Sequence, residues 1–181
     1  MRLRIYQQKR ALALLGERDE ERQLGEMAHL ALYFLEGFTG RREEVEKAVD
    51  RALALYPEPL PRREILRKRL LEILVRALSH PGIARFFAPG TTDLREHTLV
   101  FPDPEGLSAE VHRPDRILFT PEGPVVLEYK LRPGGPDGVA AHEKQLRTYL
   151  AVIRRLEGRP PRGYLIYLDP PEVREVELER T

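Results

Sequence analysis

The sequence predicts an α/β fold whose first half is helical and whose second half carries the strands. Between residues 19 and 79, apolar residues recur at spacings of three and four, which is the period of an amphipathic helix. Two short apolar runs, at 116–120 and 125–130, then flank the turn signal Pro-Glu-Gly-Pro. A helical stretch at 139–156 separates these runs from a third apolar strand at 163–168. Helices alternating with buried strands favour the α/β class.

The first half divides into four predicted helices. Leucines and an isoleucine favour a helix over 3–15, and a broad apolar stripe predicts a stronger one over 19–37. Two more are predicted at 41–56 and 62–79, with Pro57, Pro59 and Pro61 breaking the chain between them. A short amphipathic turn is predicted at 83–87.

Strand character begins near residue 93. A weakly alternating strand is predicted over 94–101, a turn over 102–106 and a second strand over 107–112. A loop rich in proline and glycine is predicted at 132–138, where Asp137 could cap the following helix. The last predicted element is an edge strand at 173–178.

The composition limits the classes of protein to which this chain can belong. The chain has 181 residues, 41% of them apolar and 33% charged, which predicts one globular domain. No apolar run approaches the length of a membrane span and no secretory signal is visible, so we expect a cytoplasmic protein. The net charge of only +1 lacks the basic excess common in nucleic-acid-binding proteins. Arginine far outnumbers lysine and asparagine is absent, which favours a thermophilic source, although a GC-rich genome would also favour arginine.

Three ionisable residues lie at the ends of the two central runs: Asp115 before the first, and Glu128 and Lys130 at the end of the second. Because side chains alternate along a strand, Glu128 and Lys130 share a face and Tyr129 points away. Two carboxylates can hold a hard cation such as Mg²⁺, and a lysine can orient a water or meet developing negative charge. The alternative is an acid–base pair on a solvated hairpin.

Three further residues lie on predicted helices. His29 lies beside the apolar stripe of its helix, where it is either a buried histidine or a metal ligand. Gln145 and Tyr149 are four residues apart and share a helix face, where the alternative is a solvated glutamine beside a core tyrosine.

Together these residues resemble the PD-(D/E)xK nucleases, and within them the RecB/AddA-type branch. Pro114-Asp115 followed by Glu128-Tyr129-Lys130 is similar to the motif that names the family. The residues 25–29 resemble a GxxxH helix of that branch, and the residues 145–149 resemble its QlxxY helix. Glu96 resembles a glutamate at the start of the family's first strand, with a solvent-facing edge residue as the alternative.

The resemblance implies a restriction-endonuclease-like core, a small mixed β-sheet flanked by helices, with a helical N-terminal half. Residues 1–181 would form a single nuclease domain, in which 1–90 contribute His29 and 91–181 form the sheet core with the metal site. The implied metal ligands of Mg²⁺ or Mn²⁺ are His29, Asp115, Glu128 and the Tyr129 carbonyl. Asp115, Glu128 and Lys130 would be catalytic, whereas Gln145 and Tyr149 would contact DNA.

The implied function is metal-dependent hydrolysis of DNA phosphodiester bonds on single-stranded DNA or duplex ends, exonuclease-like and serving DNA repair or recombination. A helicase partner in trans is implied because such domains are often fused to a motor, and this chain has no GxxxxGK[ST] loop. Without cysteine it can hold no cysteine-ligated iron–sulfur cluster.

The rival function is that of a catalytically silent nuclease-like module that binds DNA or a helicase. The chain departs from the family pattern at Arg113, where glycine is frequent, at Leu131 and at His142.

Overall fold

The computed structural model of the protein describes residues 19–102 and 109–178, so the helix predicted at 3–15 and most of the turn predicted at 102–106 lie outside the described residues. The first described half is helical, as its apolar periodicity predicts. Helix α1 covers 19–34, α2 covers Arg42–Leu55, α3 covers Arg63–Ser79, and a short α4, Pro81–Ala84, runs into a 3₁₀ turn at Arg85–Phe87.

A five-stranded mixed sheet forms the second half. In chain order the strands are β1 (Asp93–Arg95), β2 (Leu99–Pro102), β3 (Ala109–His112), β4 (Arg116–Thr120), β5 (Gly123–Lys130), β6 (Arg162–Leu168) and β7 (Pro171–Val176). The main sheet has the order β1-β4-β5-β6-β7, and β2 pairs with β3 as a separate ribbon. Among the described strands, only β5 and β6 pair in parallel, because helix α5 (Gly135–Glu157) carries the chain between them; the other pairs are antiparallel.

The two faces of the sheet bury different layers. Alternate side chains of the central strands, such as Leu127 and Ile166, pack with helices α1 to α3 in the larger core. Their neighbours in sequence, such as Val126 and Leu165, pack with α5 in the smaller core on the opposite face. Burial on both faces explains why β5 reads as a continuous apolar run up to Glu128.

Helix α5 approaches the sheet closely at one glycine. A Cβ added to Gly163 on β6 would lie 2.7 Å from Leu150 Cδ1 and 3.2 Å from Leu146 Cδ2. These leucines lie in the core stripe of α5 and are fully buried. The absence of a side chain at Gly163 therefore sets the distance between α5 and the parallel strand pair.

Three sequence predictions are wrong in detail. The strand predicted over 94–101 is divided between two sheets, because Glu96 has a φ of 48° and turns the chain after β1. The loop predicted up to residue 138 is already helical from Gly135, since proline is tolerated in a first helical turn. Asp137 therefore lies inside that turn and is not the cap; left-handed Gly134 is the N-cap residue.

The remaining boundaries agree to within a few residues. Helix α1 ends at 34 and not at 37, and β7 ends at Val176. Within residues 19–102 and 109–178, no helix combines the length and apolar character needed to cross a membrane.

Candidate metal centre and active site

Asp115 lies at the meeting point of the two halves. It precedes β4, and its carboxylate is 8% exposed. Asp115 Oδ1 is 3.0 Å from His29 Nδ1 on α1, while Oδ2 accepts a hydrogen bond of 2.6 Å from the Tyr129 backbone N–H on β5. One carboxylate thus links the helical layer with two strands of the sheet.

Glu96 joins this pair through the turn after β1. Its backbone N–H donates to the Asp115 carbonyl oxygen at 3.0 Å, and its positive φ bends the chain there. One ligand atom from each of His29, Glu96 and Asp115 lies within 4.8 Å of the other two. Burial and the nearby Asp115 charge raise the pKa of the Glu96 carboxyl. A histidine and two carboxylates at this spacing match the ligand types of a divalent cation site.

Glu128 approaches from the adjacent strand and stands outside that group of three. Its side chain is 3% exposed, and Oε1 accepts a hydrogen bond of 2.8 Å from Lys130 Nζ. Burial, followed by repulsion from Asp115, raises the pKa of Glu128 to about 7. Its other oxygen, Oε2, is buried and accepts no hydrogen bond from any described residue. A buried carboxylate oxygen without a donor is costly, so this atom fits a cation ligand.

His29 is partly exposed, at 28% of its side chain, and its ring meets that of Tyr129 edge to face at 6.0 Å. Burial by itself lowers the pKa of His29. The hydrogen bond and charge of Asp115, together with the Glu128 charge, outweigh burial and raise that pKa above its ordinary value. The imidazole therefore sits where negative charge converges, which is also where a cation would be favoured.

Lys130 is held on the α5 side of the centre. Besides its contact with Glu128, Nζ donates to Gln145 Oε1 at 3.1 Å, and Gln145 Nε2 donates to the Tyr149 hydroxyl at 2.8 Å. Glu128 and Lys130 share a face, as predicted, while Tyr129 packs in the core on the opposite face. Tyr149 is only 8% exposed, so its hydroxyl can hold the Gln145 amide in place but offers little surface to a ligand.

His142, where the chain departs from the family pattern, lies on the same side. Its Nδ1 is 3.3 Å from the Tyr167 hydroxyl, and burial, then the Lys130 charge, lower its pKa. The ring is therefore neutral more readily than a solvated histidine, and it adds little positive charge beside Lys130.

Sequence reasoning missed a buried charged network beneath the centre. The Arg116 side chain is 1% exposed; its Nε lies 2.5 Å from Asp93 Oδ2, and its guanidinium lies 4.8 Å from the centroid of the Phe87 ring. Arg95 pairs with the same aspartate at 2.8 Å and is the cross-strand partner of Arg116. Asp93 thus pairs with two facing arginines and links β1 to β4 next to Asp115. Charged residues in a short strand carry no motif that distinguishes them from a solvated edge.

The structure brings the predicted residues together from four segments: α1, the end of the loop before β4, β5 and α5. His29, Asp115, Glu128 and Tyr129 meet around the candidate metal centre, and Lys130, Gln145 and Tyr149 form a hydrogen-bonded chain beside it. Glu96 is the residue that the predicted ligand set leaves out; its resemblance to a family glutamate was the available signal.

Comparison with known proteins identifies the family of the chain. The structure described as the crystal structure of SSO0001 matches with a TM-score of 0.40 and 17% sequence identity, over 86% of this chain and 67% of that chain. No curated protein matches the sequence significantly. The family model of the PD-(D/E)XK nuclease superfamily matches residues 3–181, nearly the whole chain. The mixed sheet flanked by helices is the restriction-endonuclease-like α/β fold, and this family implies a nucleic-acid substrate and a divalent metal. The chain belongs to the PD-(D/E)XK nuclease superfamily.

Proposed function

We propose that this protein is a Mg²⁺- or Mn²⁺-dependent deoxyribonuclease that hydrolyses DNA phosphodiester bonds. One observation carries the proposal: the buried Glu128 carboxylate, with an oxygen that accepts no hydrogen bond from the described residues, lies beside Asp115 and next to a lysine. A structural ion pair would satisfy both carboxylate oxygens, whereas a site for a cation leaves one for the ion.

His29, Asp115 and Glu128 would hold the cation, with Glu96 and the Tyr129 carbonyl as further ligands. Glu96 is added to the ligand set because of its closeness to His29 and Asp115. When bound, a divalent ion of this kind lowers the pKa of water and neutralises charge on the phosphate. The Tyr129 N–H and His29 orient Asp115, so its carboxylate is fixed before any ligand arrives.

Lys130 would serve the attacking water or the negative charge that develops on the phosphate. Glu128 and Gln145 hold its Nζ at the edge of the carboxylate cluster, where the Lys130 side chain remains partly exposed, at 21%. Gln145 would turn its amide toward the DNA strand, and Tyr149 would keep that amide in place. A donor held in advance at the position of developing charge is worth several orders of magnitude in rate.

The finer assignment is to the RecB/AddA-type branch, with exonuclease-like action on DNA in repair or recombination and a helicase acting in trans. It is supported by the order His29, Asp115, Glu128-Tyr129-Lys130 and Gln145–Tyr149, and by the close approach of His29 to Asp115. A helicase that separates the two DNA strands would supply such a nuclease with free DNA ends.

The test is a cleavage assay on labelled single-stranded and duplex DNA, with Mg²⁺, with Mn²⁺ and with EDTA. We expect cleavage with either metal, none with EDTA, and none with Asp115→Asn, which removes a charged ligand but keeps the shape of the side chain. DNA binding without cleavage in any metal would favour the rival function, a catalytically silent module that binds DNA or a helicase.

A further inference from the structure

One side chain near the candidate metal centre connects two separate parts of the chain. Arg95 lies on β1 and is 18% exposed; its Nε donates to Asp93 Oδ2 at 2.8 Å, and its Nη2 to Oδ1 at 3.3 Å. Its Nη1 donates to the Tyr33 carbonyl oxygen at 2.8 Å, and Nη2 also reaches the Glu36 carbonyl oxygen at 3.5 Å. These carbonyl groups lie at the end of α1, where the last helical turn leaves oxygens without amide donors. Arg95 therefore joins the end of α1 to β1.

Asp93 extends this connection to β4. The oxygen that accepts from Arg95 Nε also lies 2.5 Å from Arg116 Nε. The Asp93 side chain is only 10% exposed and that of Arg116 only 1%, so water screens these charges little. An arginine that contacts both oxygens of a carboxylate fixes orientation as well as distance. The network of Asp93, Arg95 and Arg116 thus holds α1, β1 and β4 in a fixed arrangement.

The same three elements carry the group of possible ligands formed by His29, Glu96 and Asp115. Each ligand lies close in sequence to a residue that the network contacts or contains. In the same order, these neighbours are Tyr33, one helical turn further along α1, Arg95 and Arg116. The ligand atoms lie within 4.8 Å of one another, a spacing that requires the three segments to stay together. Contacts behind a metal site commonly set the position of its ligands in this way.

We propose that Arg95 is a positioning residue for the candidate metal centre. Together with Asp93, it holds α1, β1 and β4 at the spacing at which the three ligands meet. Arg95 binds neither the ion nor DNA itself, because its nitrogen atoms are engaged by Asp93 and by the two carbonyl oxygens. The inference rests on the proposed function, since it assigns to this network the placement of the ligands.

The alternative is that Arg95 contributes only to the stability of the fold. The charge of Arg95 makes the two roles distinguishable. Removing a cation near a divalent ion strengthens binding of that ion by Coulomb's law, whereas displacing the ligands weakens it. Weaker metal binding by a folded Arg95 variant therefore reports displaced ligands and not the lost charge.

The experiment compares two variants of Arg95 with one matched control. Arg95→Met leaves Asp93 paired with Arg116, so the variant should fold. Arg95→Lys keeps the charge, but one ammonium cannot replace the fork of the guanidinium. The control, Arg67→Met, also breaks a bidentate pair between two elements, because Arg67 on α3 donates to both oxygens of Asp50 on α2, at 2.6 and 2.9 Å. Neither partner of that pair belongs to the candidate metal centre.

Three measurements are made on each variant. Titration calorimetry gives the Kd for Mn²⁺, and denaturant unfolding in EDTA gives the global stability. Amide hydrogen exchange in EDTA follows the Glu96 N–H, which donates to the Asp115 carbonyl oxygen and reports whether these two segments stay joined. Cleavage of labelled DNA in Mn²⁺ is recorded in parallel.

We expect Arg95→Met to weaken Mn²⁺ binding by roughly 10- to 100-fold, as the loss of a contact behind a metal site typically does. Exchange of the Glu96 N–H should accelerate by more than the loss of global stability explains. Arg95→Lys should show both effects to a smaller degree. Arg67→Met should lose stability and keep the parent Kd.

The positioning role is overturned if folded Arg95→Met binds Mn²⁺ as tightly as the parent or more tightly, or if exchange at Glu96 does not change. The same criteria apply to Arg95→Lys. A parent that still binds Mn²⁺ and cuts DNA then leaves the proposed function standing. If the parent binds no Mn²⁺ and cuts no DNA, the proposed function fails, and exchange at Glu96 alone decides whether Arg95 positions these segments.

Discussion

Glu128 destabilises the metal-free protein, because its charge is buried beside another carboxylate. Its pKa of about 7 in the folded state lies above the ordinary 4.5, so the folded state binds more protons between these two values. The free energy of unfolding must therefore fall as the pH rises from about 4.5 through 7. A shift of this size corresponds to roughly 2–4 kcal/mol at higher pH.

The first prediction is that Glu128→Gln stabilises the metal-free protein at pH 8 while weakening metal binding. The amide keeps the shape of the side chain and cannot ionise, so the repulsion from Asp115 disappears. Denaturant unfolding in EDTA should show the gain at pH 8 and almost none at about pH 3, where the parent carboxyl is protonated in both states. A variant that is less stable than the parent at pH 8 would contradict the electrostatic account.

Because Lys130 is positively charged, its role in cleavage can be tested separately from the role of the metal ligands. The second prediction is that Lys130→Met holds or improves metal affinity, because a cation beside the metal centre is removed, yet slows cleavage by roughly 100-fold or more. Additional metal should not restore the rate. Titration calorimetry and single-turnover cleavage measure the two effects.

Lys144→Met, on the exposed part of α5, is the matched control and should cut at the parent rate. Cleavage at the parent rate by Lys130→Met would make the Glu128–Lys130 pair an ordinary ion pair.

At the scale of elements, the packing of α5 on β6 depends on Gly163. The third prediction is that Gly163→Ala lowers the free energy of unfolding by roughly 1–3 kcal/mol, because the new methyl group overlaps Leu150 and crowds Leu146. The control is Gly25→Ala, where a Cβ meets nothing within 4 Å inside a helix, and a gain of about 0.5–1 kcal/mol is expected. Equal stabilities of the parent and Gly163→Ala would mean that α5 adjusts without strain.

Most elements could be predicted from the sequence because their side chains repeat with the period of a helix or strand. The strand β5 was visible as an apolar run, and α3 as a stripe of leucines. The division of the strand near Glu96 could not be predicted, since a positive φ in a glutamate has no sequence signal. The start of α5 was misjudged because Pro136 reads as a loop residue, although the first helical turn tolerates it.

The candidate site was predictable where a motif marked it and not elsewhere. Asp115, Glu128 and Lys130 lie at strand ends in a recognisable order. Asp93 and Arg116 acquire their surroundings only when segments distant in sequence meet; their neighbour Arg95, for example, donates to the Tyr33 carbonyl oxygen across more than 60 residues. No spacing along the chain encodes such a contact.

At the scale of the whole molecule, the candidate metal centre joins the helical layer to the sheet through His29 and Asp115. The fourth prediction is that millimolar Mg²⁺ or Mn²⁺ raises Tm, because the complete ligand set exists only in the folded chain. At a metal concentration about 100 times Kd, the gain should be roughly 5–10 °C. Thermal melts with and without EDTA measure it.

His29→Ala should remain folded and lose much of this gain, whereas His80→Ala, at an exposed histidine after α3, should keep it. A large drop in the metal-free Tm of His29→Ala, with its metal response intact, would make His29 a structural residue and not a ligand.

The shared core also determines what would happen if the chain were cut. The loop between Phe87 and Asp93 separates the helices from the sheet in sequence, but the larger core draws on both. Two fragments divided there would each expose an apolar face that fits the other, and each would carry only part of the ligand set. Reassembly should then depend on fragment concentration and be tightened by divalent metal, so that cleavage in a mixture of fragments would report on the concentration of the ion.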